Sequence, residues 1–162
     1  YFRGDIEISM IDRIKRFFEF KRKNIKVWKP CNIYMSAKIG ENVSIGRFTE
    51  IGHNVKIGDN VRIGAMSFIP EGVTIEDDVF VGPHSVFTND KFPPSGRENW
   101  LKTKVKKGAR IGAGATILCG VVINEKALIG AGSVVTKDVP VGATFVGIPA
   151  RDINEKKKVK KK

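Results

Sequence analysis

The sequence predicts an all-β solenoid, a parallel β-helix with a short N-terminal helix and a projecting loop, and three observations carry that prediction. First, an apolar residue recurs every six positions: Ile33, Ile39, Ile45, Ile51, Ile57, Ile63, Ile69, Ile75, Val81 and Phe87, then Val105, Ile111, Ile117, Ile123, Ile129, Val135 and Val141. An α-helix has no period of six, and Ile and Val suit a pleated, buried surface. Second, a small or β-branched residue stands two places earlier in most repeats, as at Ala37, Val43, Thr49, Val55 and Ala127. Third, glycine follows the apolar residue at Gly40, Gly46, Gly52, Gly58, Gly64, Gly82, Gly112, Gly130 and Gly142. There it is expected to allow the backbone conformation of a corner. Asn42, Asn54, Asn60, Asp59 and Asp78 suit corners for the same reason.

A fixed short period marks a repeat architecture. Short β segments with a corner every six residues coil into a three-sided prism. Three sides take eighteen residues, so residue n rests near n+18, one strand spacing of about 4.8 Å away.

In chain order, residues 1–27 form an N-terminal arm and helix. Over residues 8–24, Ile11, Ile14 and Phe18 fall on one helical face, and Ser9 with Asp12 resembles a capping box. Such a helix is expected to cap the open first coil. Residues 28–151 form the β-helix, interrupted at 88–104, where Pro93, Pro94 and Gly96 break regular structure. Phe87 and Val105 lie eighteen residues apart, which fits either an extra circuit or a projection. The density of Pro, Gly and charge, with Trp100 read as exposed, favours a projecting loop, and long loops inside a regular solenoid commonly carry function.

Residues 152–162 are a basic tail containing Lys-Lys-Lys-Val-Lys-Lys-Lys at 156–162. This tail and the cluster Lys15, Arg16, Lys21, Arg22 and Lys23 hold much of the +12 net charge, so the average misdescribes the coils. Both read as solvated surface, or as attraction for anions such as phosphate groups or a nucleic acid. Lysine without interleaved aromatics does not make a nucleic-acid reader. No apolar run approaches the roughly 20 residues of a membrane span, so no membrane insertion is expected. Cys31 and Cys119 match no metal or redox spacing and are expected to be small buried apolar groups in a reduced, cytoplasmic protein.

Hexapeptides of the form Ile-Gly-x-x-Val-x, the interrupting loop and the ending Gly147-Ile148-Pro149-Ala150-Arg151 resemble the left-handed β-helix acyltransferases over residues 30–151. The left hand is implied by this resemblance alone, since parallel crossovers are otherwise right-handed in about 98% of cases. Residues Pro70–Ser95, with Thr88-Asn89-Asp90 leading into a proline-containing loop, resemble the subgroup that acetylates the amino group of nucleotide-linked amino-sugars for bacterial surface polysaccharide. The resemblance implies a homotrimer, with acetyl-CoA as acyl donor in a groove between neighbouring prisms. It places the nucleotide end of CoA near Lys137, Ile148, Pro149 and Arg151.

Amide formation needs an amine that can lose a proton, donors for the carbonyl oxygen, and a proton for the leaving thiolate. The chain has two histidines. His84, in Gly82-Pro83-His84 just before the loop, is the candidate general base, or else positions substrate by a hydrogen bond. Asn89, Asp90 and Lys91 are candidates to hold the amine or the sugar. Small residues at Ala113 and Ala131 would let the thioester approach a backbone N–H donor. His53, in Gly52-His53-Asn54, reads as a surface corner, and Glu71, Glu76, Asp77 and Asp78 as solvated corners or an orienting carboxylate. Trp28, Phe92 and Trp100 can each stack a base.

Two other readings stand beside N-acetylation. O-acetylation of a sugar or serine hydroxyl needs a stronger base, typically His with a carboxylate. A non-catalytic β-helix platform would bind anionic polymers through the tail. A catalytic zinc site of the γ-carbonic-anhydrase type needs three His ligands, so no metal is expected.

Overall fold

The computed structural model describes residues 10–154. Ser9, and with it the expected cap, and the lysine tail 156–162 lie outside the described residues.

The coils begin at Lys26 and form a left-handed parallel β-solenoid of about seven turns. Strands of two or three residues stack into three faces. The first face runs from Lys26–Val27 through Ser44–Ile45, Arg62–Ile63, Phe80–Val81, Arg110–Ile111 and Leu128–Ile129 to Thr144–Val146. The second holds Asn32–Ile33, Glu50–Ile51, Phe68–Ile69, Val86–Phe87, Thr116–Ile117 and Val134–Val135. The third holds Lys38–Ile39, Lys56–Ile57, Val73–Ile75, Thr103–Val105 and Val122–Ile123. Pairing is parallel throughout except where Arg151–Asp152 turns back on Thr144–Val146.

The register follows the expected step of eighteen. Ile45 faces Ile63, Ile51 faces Ile69 and Ile57 faces Ile75. The recurring aliphatics therefore stack into internal ladders, and Ile45, Ile51, Ile111, Ile117, Ile123 and Ile129 are fully buried. The buried hydroxyls of Thr49, Ser67 and Ser85, at the edge between the first and second faces, are satisfied by corner carbonyls, Ser85 donating to the Gly82 oxygen at 2.8 Å.

The loop projects. Ile75 pairs with Val105 thirty residues on, against eighteen between Ile57 and Ile75, so twelve residues leave the coil and return without disturbing the ladder.

The glycines act differently from expectation. Those that follow the apolar residue have ordinary φ, Gly142 excepted. They are needed because the next coil lies against them: a Cβ on Gly82 would stand 2.5 Å from the Ala113 nitrogen. The left-handed conformation falls two places later, at Asn42, Asn54, Asn60 and Asp78 among others. Asp59 does not adopt it; its carboxylate accepts the Glu41 N–H at 2.7 Å.

Val141 leaves the series and is 66% exposed. The last circuit is two residues short, so Val139 bridges Ile123 and Phe145 pairs with Ile129, both sixteen residues apart. These two fill the core in its place.

Helix α1, Met10–Arg22, sits on the first coil, but through a different face from the one expected. Ile11, Ile14 and Phe18 are exposed, as is Phe17. Phe20 packs on the core, the Arg16 guanidinium donates to the Ala37 carbonyl at 3.0 Å, and the Lys23 ammonium donates to the Ile39 carbonyl at 2.8 Å. The end of a solenoid presents carbonyls without a next coil, and these require donors as much as the apolar core requires a lid. Cys119 is buried as expected, whereas Cys31 is half-buried, its thiol 3.0 Å from the Gly46 carbonyl. Both thiols are free, and no described helix is long and apolar enough to cross a membrane.

Candidate functional site

Each corner of the prism repeats along the axis as a column of stacked turns. Between the third and first faces the column is Asn24, Asn42, Asn60 and Asp78, all at φ between 53 and 59. Their side chains form a ladder, Asn24 donating to Asn42 at 2.9 Å, Asn42 to Asn60 at 3.3 Å and Asn60 to Asp78 at 3.1 Å. Asparagine tolerates this left-handed backbone and bonds its own kind, so this corner reads as scaffold.

The corner between the first and second faces is built otherwise. Its column is Phe48, Met66, His84, Gly114 and Gly132, with φ of 59, 59, 58, 67 and 66. Ladder bonds at 2.8 Å fix the line: His84 N–H to the Ala65 carbonyl, Gly114 N–H to Pro83 and Gly132 N–H to Ala113. His84, Ala113 and Ala131 therefore lie along one edge, and all three are exposed. From His84 toward the C-terminal coils, the edge carries only Ala and Gly. It leads to the final turn, where the Gly147 N–H donates to the Ser133 hydroxyl at 3.1 Å and Ala150 N–H to the Val134 carbonyl at 2.8 Å. Ile148 and Pro149 are exposed in that turn, and the Arg151 guanidinium donates to the Ala150 carbonyl. The Gly114 and Gly132 N–H groups are used in the ladder, whereas those of Ala113 and Ala131 make no hydrogen bond among the described residues.

Asn89, Asp90, Lys91 and Lys137 belong to the opposite edge, between the second and third faces. Asn89 lies five residue steps beyond His84 across the second face, roughly 16 Å at about 3.3 Å per residue. One chain therefore does not bring these two groups together. Asn89 closes the base of the loop by accepting the Leu101 N–H at 2.8 Å, and Thr88 accepts the Cys119 N–H at 2.9 Å. Lys91 is exposed beside the Phe92 ring, and Lys137 lies over Phe145.

Asp90 folds the loop. Its carboxylate accepts the Ser95 hydroxyl at 2.6 Å, the Ser95 N–H at 2.8 Å and the Phe92 N–H at 3.0 Å. The Ser95 bonds foremost, then the Phe92 N–H and the Trp100 indole, hold the carboxyl below its usual value of 3.8. A carboxylate so saturated is a poor proton acceptor, which counts against a catalytic proton role for Asp90. The same bonds make Trp100 half-buried rather than exposed. Because the folded value is depressed, the contribution of Asp90 is present at neutral pH and is lost as pH falls below 3.8. Trp100 fluorescence, in a Trp28→Phe background, should report loop release in that acidic range before the solenoid unfolds; Asp90→Asn should show the released signal at neutral pH.

A second anchor pins the loop from outside. Arg97 donates to Glu71 at 2.7 Å, and Asn54 donates to the same carboxylate at 3.2 Å. Burial works against the Glu71 charge, but these bonds outweigh it and hold its pKa below the ordinary 4.5. His53 is tied into this corner, its Nδ1 3.0 Å from the Ser36 hydroxyl and its ring 4.0 Å from that of Tyr34. Glu76, Asp77 and Asp78, at the corner between the third and first faces, pair with Lys104 or Lys107. None of these carboxylates bonds to His84, whose imidazole meets no hydrogen-bond partner among the described residues. Sequence reading missed Phe48 and Met66. Their signal is a period of eighteen, 48, 66 and 84, which a period of six averages away. No group of metal-ligating side chains occurs among the described residues.

Comparison with known proteins agrees with this architecture. The bacterial transferase hexapeptide model, of six repeats, matches residues 36–71 and 102–137. No curated protein sequence matches the chain. Among solved structures, a GDP-perosamine N-acetyltransferase from Caulobacter crescentus, bound to CoA and GDP-perosamine, superposes with a TM-score of 0.68 at 22% identity, over 87% of this chain and 64% of that one. The acetyltransferase domain of PglB from Neisseria gonorrhoeae, bound to acetyl coenzyme A, gives 0.70 at 19%, over 88% and 66%. AntD, an N-acyltransferase from Bacillus cereus bound to dTDP and 3-hydroxybutyryl-CoA, gives 0.74 at 24%, over 90% and 93%. The chain thus spans under two thirds of the length of the first two, and at these identities the likeness is one of fold. On either side of its loop the chain carries the repeat of the bacterial transferase hexapeptide family.

Proposed function

We propose that this chain is an acetyl-CoA-dependent N-acetyltransferase that acts as a homotrimer on the amino group of a nucleotide-linked amino-sugar, a building block of surface polysaccharide. The observation that carries the reading is the first–second edge. His84 stands at the head of a line of Ala and Gly that runs to the exposed Ile148-Pro149 turn. A pantetheine arm can lie along such an edge because, between His84 and Gly132, its corner positions carry nothing larger than a methyl. CoA or an acyl-CoA in these similar structures, with GDP-perosamine in one and dTDP in another, supports the substrate class.

In the proposed reaction, the amine nitrogen attacks the thioester carbonyl carbon and a C–N bond forms. The oxygen takes up the charge and is stabilised by a backbone N–H at Ala113 or Ala131. The C–S bond then breaks. His84 accepts the proton from the amine and delivers it to the departing thiolate, so the products are the amide and CoA thiol. Loop groups at Asn89 and Lys91 hold the sugar. Since they lie roughly 16 Å from His84 in one chain, the loop edge that completes each site comes from a neighbouring copy. Flat solenoid faces bury surface well in closed cyclic assemblies.

Thiol release from acetyl-CoA, screened over nucleotide-linked amino-sugars and their hydroxyl analogues, tests the reading together with light scattering. The expected result is release with an amine acceptor but not its hydroxyl analogue, from a species three times 17.9 kDa. Release with neither acceptor, or only with the hydroxyl, contradicts the activity; a monomeric species contradicts the shared site.

A further inference from the structure

We propose that Phe48 and Met66 form the apolar wall of the acceptor subsite and select an amino-sugar with a deoxygenated, methyl-bearing ring over its hydroxylated counterpart. The inference rests on the acetyltransferase reading and deepens it.

The starting observation is where the fold places bulky side chains in the left-handed backbone region. Elsewhere among the described corners this conformation is taken by Asn, Asp, Gly and Lys126. Only in the column of His84 is it taken by a phenylalanine and a methionine, at φ 59 in each case. Left-handed backbone disfavours such residues, and strain of this kind is kept where surrounding structure imposes it for a purpose. Here the ladder imposes it, the Phe48 N–H bonding the Pro30 carbonyl at 2.6 Å and the Met66 N–H the Arg47 carbonyl at 2.8 Å. Both side chains are also largely exposed, Phe48 at 58% and Met66 at 47%. The chain thus bears backbone strain and exposed apolar surface together at two successive turns of one edge.

Their position gives the purpose. Coils are about 4.8 Å apart, so Met66 lies about 5 Å from His84 along the axis and Phe48 about 10 Å. On the other side of His84 the same column has only Gly114 and Gly132. The edge is therefore asymmetric about its imidazole: bare on the side proposed for the acyl donor, and on the other side lined by Met66 and Ala65 next to His84 and by Phe48 with the exposed Arg47 one coil further. An acceptor whose amine reaches His84 from the walled side lays its ring, about one coil spacing across, against Met66. A methyl carbon is favoured there over a carbinol, which would lose water without gaining a partner. The dTDP-4-amino-4,6-dideoxyglucose bound in one AntD structure is a sugar of this class, and it supplies the probe.

The test compares wild type with Met66→Asn and with Phe48→Asn/Met66→Asn, using a 6-deoxy amino-sugar nucleotide and its 6-hydroxy analogue. Asparagine already holds φ 55 and 58 at Asn42 and Asn60, so the variants should fold, with melting temperature unchanged or raised. Expected is a wild-type preference for the 6-deoxy substrate of about tenfold or more in kcat/KM, collapsing toward unity in the double variant, with KM for acetyl-CoA unchanged. Unchanged preference in a folded, active variant overturns the inference alone. A variant that dissociates to monomers overturns it in favour of a subunit contact. A wild type that acetylates no amino-sugar sinks the acetyltransferase reading itself and is distinguished by that result.

Discussion

Replacing His84 by Asn is expected to lower kcat/KM for acyl transfer by about 10²–10⁴-fold, the usual contribution of a positioned general base, without loss of thermal stability. Stability should hold because His84 is exposed at φ 58, a conformation that Asn occupies at Asn60 and Asn54 in the neighbouring columns. The imidazole makes no hydrogen bond among the described residues, so its removal strands no partner. Steady-state kinetics over a range of pH separates the two roles open to His84. Loss of the base lowers kcat and removes the imidazole limb of the pH–rate profile, whereas loss of a positioning bond raises KM and leaves that limb in place. A His84→Asn enzyme with near wild-type kcat at every pH contradicts the base role.

Phe87→Ala is expected to be among the most damaging core substitutions, costing about 3–5 kcal/mol. Phe87 is completely buried and is the bulkiest of the fully buried side chains. It pairs with Ile117 in the next coil of the second face and ends the strand Val86–Phe87, which lies between His84 and the loop base at Thr88. Truncation opens a cavity where the twelve extra residues leave the wall, and nothing nearby is free to collapse into it, because the coils on both sides are held by backbone ladders. Thermal denaturation should show a fall of roughly 10 °C or more for a chain of this size. Phe87→Leu should recover most of it, since most of the volume returns. A Phe87→Ala protein that melts with wild type would mean that the ladder, not the core, sets stability.

The periodic part of this fold was open to reading from the residues because each inward Ile or Val reports the same local fact, a side chain facing the axis once per face. Sixfold recurrence gave the prism, and three faces gave the eighteen-residue register seen at Ile45–Ile63 and Ile57–Ile75. The same averaging hid how the three corners differ. Period six treats the three corners as one, yet the scaffold corner holds Asn42 and Asn60 while the His84 corner holds Phe48 and Met66. The short final circuit escaped for a related reason: Val141 keeps sequence phase, but deletion of two residues turns Val139 inward instead.

Residues outside the repeat were harder, because competing demands meet there. In helix α1 the apolar stripe is real, but the coil end offers carbonyls at Ala37 and Ile39, and Arg16 and Lys23 answer them while Ile11 and Ile14 face outward. In the loop, a carboxylate next to a proline-rich turn looks available to a ligand. Asp90 is instead consumed by Ser95 and Phe92, because a loop that projects from a solenoid must satisfy its own backbone donors.

The central claim is that each site joins the His84 edge of one chain to the loop edge of another. Co-expression of His84→Asn with an Asn89→Ala/Lys91→Ala chain measures this directly. Each parent alone should be nearly inactive. In randomly assembled closed trimers, about a quarter of the junctions pair an intact His84 edge with an intact loop edge, so the mixture should recover about a quarter of wild-type activity. A mixture no more active than the average of its parents contradicts the account.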